Sequence, residues 1–240
     1  MARSLVQLSG DRTDLEEFPR WFPDGEIFAI KENGTFFLTG PAFEALPSAE
    51  AVLNEAIRAL DLFSAVISLV WPSLRKPAGS HVFRETDEGK RNAFVFLSGS
   101  ITVRAKLGAA LSVGSPPEGP QPTQAQQLLT RAKQSPHLEV ALSLWADPVR
   151  SWPRLYRVLE EIEQHLGRRV NAVGLCSANE RDRFARTANT AEVSGPDARH
   201  AVGKFVPPAN PMDLGEGTSF VSRLLLEALQ KVQGAKEDAV

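Results

Sequence analysis

The sequence predicts an α+β fold: an N-terminal ferredoxin-like antiparallel sheet with helices, followed by a C-terminal all-α helical bundle. Three observations predict it. SITVRAKL alternates Ile101, Val103, Ala105 and Leu107 with Thr102, Arg104 and Lys106, the period of a half-buried strand. Asn33-Gly34 stands between EIFAIKE and TFFLTG, and both residues tolerate the positive φ of a tight hairpin turn. Beyond SVGSPPEGPQPT the apolar spacing becomes purely helical. These place an α+β domain over 1–111, a Pro/Gly-rich linker over 112–123 and a helical bundle over 124–240.

In chain order, SLVQL (4–8) reads as the first strand. Thr13 with Glu16 has the spacing of a capping box and opens a short helix, DLEEFPRWF, which Pro19 interrupts or bends. After the Asn-Gly hairpin, Ser48 caps a long helix running to about Val70. Its inward positions are Val52, Ala56, Ile57, Leu60, Phe63, Val66 and Ile67. HVFRE, NAFVFLS and SITVRAKL follow as strands, so the order is β-α-β-β-α-β-β-β.

Past the linker, Thr123 caps QAQQLLTRAKQ, and HLEVALSLWAD is a second short helix. SWPRLYRVLEEIEQHLG is the clearest: Ser151 caps it, Pro153 sits in its first turn and Gly167 stops it. Leu155, Val158, Leu159, Ile162 and Leu166 form its apolar stripe. A fourth helix begins near Ser177-Ala-Asn-Glu. Asp213 with Glu216 caps the last, which turns Phe220, Val221, Leu224, Leu225, Ala228 and Leu229 inward.

The 240 residues are 42% hydrophobic and 23% charged, as in globular proteins, and the net charge of -2 excludes a wholly basic nucleic-acid coat. A single cysteine, Cys176, excludes an internal disulfide and reads as a small buried side chain in a reducing compartment. The opening residues lack a secretory pattern and LFSAVISLVW is too short to span a bilayer, so a cytoplasmic protein without a membrane partner is expected. Phosphate-cradling glycine motifs, a nucleophile elbow and zinc-ligand spacings are missing, and the four histidines are far apart in sequence. Neither cofactor nor metal is expected. Glu160, Glu161 and Glu163 read as a solvated helix face beside Arg157.

Chemistry concentrates in RFARTANTAEVSGPDARH, residues 183 to 200. Arg183 and Arg186 are three apart and lean over one spot on a helix. Residues 168 to 204 hold seven Lys or Arg against four acids, a local balance of +3. With Asn189 and Lys204, the two arginines make a candidate phosphodiester-binding patch. The alternative is that the arginines pair with neighbouring acids while Asn189 ends its helix in a left-handed cap. His200 is the candidate catalytic base, able to take a proton from a ribose 2′-hydroxyl, with Arg199 or Arg186 as the cation on the phosphate. Adjacent residues on a helix point about 100° apart, so Arg199 and His200 share a site only through irregular backbone or across a dimer. A structural histidine is the other reading.

WPRLYRVLEEIEQHLG, RFARTAN, SGPDARHA, the loop PPANPMDL and the final apolar helix resemble a group of uncharacterised bacterial proteins, whose helical part resembles the HEPN bundles of toxin, antiphage and RNA-cleaving systems. The resemblance covers about residues 124 to 232. It implies an RNA-binding protein, with metal-independent cleavage where a dimer completes the site. HEPN nucleases carry an Arg, a polar residue and then a His within four to six positions; here Arg186 and Asn189 precede His200 by fourteen and eleven residues, because TAEVSGPD intervenes. Many such bundles are non-catalytic. The alternative is therefore a non-enzymatic scaffold or partner subunit of a multi-protein bacterial complex, binding a protein encoded nearby through a sheet edge or a bundle groove. Small-ligand sensing by the N-terminal domain has no residue-level signal.

Overall fold

The computed structural model describes residues 3–86, 90–95, 122–195, 198 and 206–231. The fold is mixed α+β. Strand β1 (Arg3–Ser9), helix α1 (Arg12–Trp21), strands β2 (Phe28–Glu32) and β3 (Thr35–Thr39), a short α2 (Pro41–Glu44), the long α3 (Ala49–Val70) and strands β4 (Ala78–Glu85) and β5 (Arg91–Val95) come first. Helices α4 (Pro122–Lys133), α5 (Pro136–Trp145), α6 (Trp152–Leu166), α7 (Ala178–Asn189), α8 (Ala191–Ser194) and α9 (Leu214–Gln230) follow. The expected strand at 100–107 and the linker up to residue 121 lie outside the described residues. Two compact units form, residues 1–60 with 70–126 and residues 61–69 with 127–240, so the second half of α3 belongs with the later helices.

In the first unit the sheet order is β2-β3-β1-β4-β5, and every neighbouring pair is antiparallel. The β2–β3 turn is the expected one: Asn33 has φ 49° and Gly34 φ 78°. One sheet face aligns Ala29, Leu38, Val6 and Val82 across the strands, all buried. α3 covers it at Gly79, where an added Cβ would meet Val6 Cγ1 at 3.3 Å and Leu53 Cδ1 at 3.5 Å. The opposite face carries Phe37 edge-on to Phe83 at 6.0 Å. Beside them, Glu32 takes Arg3 at 3.0 Å and Arg91 at 2.5 Å. Arg91, then Arg3, holds the Glu32 carboxyl below its ordinary range.

Three local expectations change. The cap of α1 is Asp11, whose carboxylate accepts the Thr13 N–H at 2.9 Å, while Glu16 is drawn to Lys31 across the turn at 2.6 Å. Pro19 lies inside α1 without ending it. Ile57 of α3 is 40% exposed, because the buried stripe runs through Val52, Ala56, Ala59, Leu60 and Phe63. Ser48 does cap α3, accepting from Ala51 N at 3.1 Å.

In the second unit α6 is central, packing against α5, α7 and α9. Leu155, Val158, Leu159 and Ile162 are buried as their spacing predicts. Phe184 of α7 is the hub of an aromatic cluster, 5.9 Å from Trp152, 6.1 Å from Tyr156 and 5.2 Å from Phe220. Gly217 lets α9 close on this cluster, since a Cβ there would lie 2.7 Å from the Trp152 ring. Both capping boxes, Ser177 with Glu180 and Asp213 with Glu216, are made in full. Gly167 ends α6 at φ 63°, whereas Ser151 begins it without a side-chain bond. Among the described residues no helix is long and apolar enough to cross a membrane.

Candidate functional site

Arg199, His200 and Lys204 lie outside the described residues, so the geometry of the expected site is that of Arg183, Arg186 and Asn189, all on α7. Arg183 is engaged internally. Its Nε donates to Asn210 O at 2.6 Å, and its Nη2 donates to Pro211 O at 3.1 Å and to the Glu216 carboxylate at 3.0 Å. It thus ties the loop before α9 and that helix's own capping box to α7. Arg186 is 3.6 Å from Asp182 one turn back, with 40% of its side chain exposed. Asn189 is buried at 3% exposure, donates Nδ2–H to Ala185 O at 2.7 Å, and does not adopt positive φ. Its Oδ1 is buried without a partner among the described residues. Neighbouring Thr187 is also inward, its hydroxyl accepting from Met212 N at 3.1 Å.

Glu161 and Glu163 of α6 do not lie on a solvated face, which corrects their sequence reading, whereas Glu160 stays part-exposed. Glu161 is 4% exposed and bridges Arg157 Nη2 at 2.5 Å and His137 Nδ1 at 2.7 Å. Glu163 takes a two-pronged pair from Arg181, at 2.7 and 2.8 Å, and accepts Val170 N at 3.1 Å. α5 and α7 pack against flanks of α6 that the periodicity assigned to water. Cys176 is half-buried, and burial raises its thiol pKa.

A second locus forms where α4, α6 and α9 bring their C-terminal ends together. A cavity of about 330 Å³ is lined there by Arg131, Gln134, Ser135 and Leu138, by His165, and by Ala228, Leu229 and Lys231. The ends of α4, α6 and α9 present carbonyl oxygens and the negative poles of their dipoles, which draw cations, while the N-terminus of α5 at Ser135 brings a positive pole to the same cavity. Arg131 Nη1 donates to Leu229 O at 3.2 Å and Gln230 O at 3.0 Å, satisfying the end of α9. Lys231 Nζ makes one long bond, 3.4 Å, to Val173 O. Lys133 in the last turn of α4, and Arg168 and Arg169 just past α6, are exposed. None of Arg131, Lys133, Arg168, Arg169 and Lys231 makes an ion pair among the described residues.

His165 gives the cavity a chemical handle. Its Nδ1 lies 2.9 Å from Ser135 Oγ, which also accepts Leu138 N at 3.4 Å as the N-cap of α5. Burial first, and then the neighbouring His137, lowers the His165 pKa. The ring is therefore neutral near pH 7. An Nδ1 that accepts the Ser135 hydroxyl leaves Nε2 carrying the proton as a donor. Residues that the sequence leaves thirty apart thus share one polar hollow; the only linear signal was Ser-Pro-His at a helix start. No family model matches the chain, and neither a curated protein nor a solved structure matches it.

Proposed function

We propose that the chain is an RNA-binding protein with a HEPN-like helical unit, acting in bacterial toxin or antiphage defence, and that it holds the phosphate backbone at the joined ends of α4, α6 and α9. One observation carries this reading: Arg131 and Lys231, two cations with no ion pair among the described residues, line one cavity in a chain whose net charge is -2, and Lys133, Arg168 and Arg169 stand close in the chain to its lining residues Gln134 and His165. Unpaired Lys and Arg side chains release condensed counterions on binding, so they supply affinity that falls steeply with salt. The order β2-β3-β1-β4, all antiparallel, supports a ferredoxin-like sheet in the first unit with β5 added.

The test is fluorescence anisotropy of a labelled single-stranded RNA between 50 and 200 mM salt. Affinity falls over this range, and Arg168→Glu with Arg169→Glu flattens the slope by about 1.4, for two single-strand phosphate contacts. Salt-independent binding, or a double variant that binds as well as the parent, overturns the reading. Its cleaving form assigns His200 as base and Arg199 as the phosphate cation. His200→Ala and Arg199→Ala then leave folding intact and abolish cleavage of an RNA ladder, and full activity in the His200 variant removes catalysis.

A non-enzymatic scaffold or partner subunit is the second reading, favoured by the Arg183 guanidinium and the Asn189 Nδ2, which donate to the fold itself. An apolar protein contact would not weaken with added salt.

A further inference from the structure

We propose that the cavity bounded by Arg131, Gln134, Ser135, His165 and Lys231 is a binding site for a phosphomonoester dianion: the terminal phosphate of an RNA strand, or a free mononucleotide. The polymeric source rests on the RNA reading; the monoester chemistry does not.

Size and charge both select this ligand. About 330 Å³ lies at the small end of the range for ligand pockets, which suits a mononucleotide better than a strand passing through. A monoester carries nearly two negative charges at pH 7 and three terminal oxygens, where an internal phosphodiester carries one charge and two free oxygens. Two cations line the cavity. Arg131 uses only Nη1 on the carbonyls of α9, so Nε and Nη2 make no hydrogen bond among the described residues. The single 3.4 Å bond of Lys231 is readily exchanged for a shorter, charge-assisted one. Gln134 adds an uncharged donor, as does His165 Nε2 in the tautomer whose Nδ1 accepts from Ser135, while the buried Leu138, Ala228 and Leu229 close the cavity on its inner side. Three carboxylates of α6 and α9 are already engaged: Glu161 with Arg157 and His137, Glu163 with Arg181, Glu227 with Arg223.

The full chain is titrated with one RNA sequence bearing a 5′-phosphate, a 3′-phosphate or neither, and separately with AMP and inorganic phosphate while the histidine ring resonances are followed by NMR. One phosphorylated strand is expected to bind about tenfold more tightly than the unphosphorylated strand, the worth of one charge-assisted contact. AMP is expected to move the His165 resonances selectively. Lys231→Gln and Gln134→Ala should each shrink the preference ratio and the resonance shift. Arg131→Gln also uncaps α9, so Lys231→Gln is the decisive variant. A response to AMP without salt-dependent RNA binding supports the pocket and removes the RNA reading. Salt-dependent RNA binding that ignores the terminal phosphate, with unmoved His165 resonances, overturns the pocket and leaves the RNA reading standing. So does a preference ratio that survives Lys231→Gln.

Discussion

Glu161 shows how one side chain redefines a helix face. At 4% exposure its carboxylate is held by Arg157 and His137, both largely in water. Removing it lets these partners rehydrate, so Glu161→Ala should cost about 1.5–3 kcal/mol, the range for a charged hydrogen bond. Urea unfolding measures it, and a midpoint equal to the parent's would return Glu161 to the solvated face that its spacing implies. His165 gives a pH signature with a definite sign. Its folded pKa is lowered from 6.5, so the unfolded chain takes up a proton first as pH falls. Its contribution to stability is constant above about pH 6.5, declines as pH drops through that value and levels off below the lower folded pKa. Unfolding midpoints from pH 7.5 to 5 should therefore fall less in His165→Gln than in the parent. Parallel curves would mean that burial does not hold this ring neutral.

At the scale of elements, the structure rewards local chemistry and departs from one-dimensional periodicity. Asn33-Gly34, Ser177 with Glu180 and Asp213 with Glu216 were legible because each acts over four residues or fewer, within which sequence distance is spatial distance. Ile57, Glu161 and the cap at Asp11 were not. A helical period names one stripe, but neighbours in α5 and α7 decide how many faces of α6 are covered, and Lys31 on strand β2 competes for Glu16 of α1. The candidate site divides the same way: Arg183 and Arg186 do share α7, yet Arg183 is used by a loop some thirty residues later, and the helix-end cavity joins segments that no linear motif links. Two substitutions probe the α7–α9 joint. Asp213→Ala breaks the α9 capping box and should cost about 1 kcal/mol. Gly217→Ala pushes a methyl into the Trp152 ring and should cost about 1–3 kcal/mol with altered near-ultraviolet dichroism. A neutral Gly217→Ala would show that α9 shifts away from α6 without penalty.

At the scale of the whole molecule, composition implies a cut in the proline-rich stretch around 112–123, whereas the compact units exchange a piece of helix. Residues 61–69 group with 127–240, and Phe63, Ala65, Val66, Ile67 and Leu69 among them are buried. The Trp145 indole donates to Ser68 Oγ at 3.2 Å within that same unit. A fragment of residues 124–240 would carry every later helix but leave unpaired the surface that this segment covers. Burial of apolar area is the main favourable term in folding, and a domain's net stability is only about 5–15 kcal/mol, so losing five buried side chains removes much of the margin. The fragment should melt well below the intact chain, bind a hydrophobic dye and show a red-shifted Trp145 emission. A peptide of residues 48–70 added in trans should reverse all three changes. Ser68→Ala in the full chain separates the indole bond from the packing, and should cost about 1 kcal/mol. A 124–240 fragment that melts with the intact protein and ignores the peptide would show that the helices after the linker fold without α3.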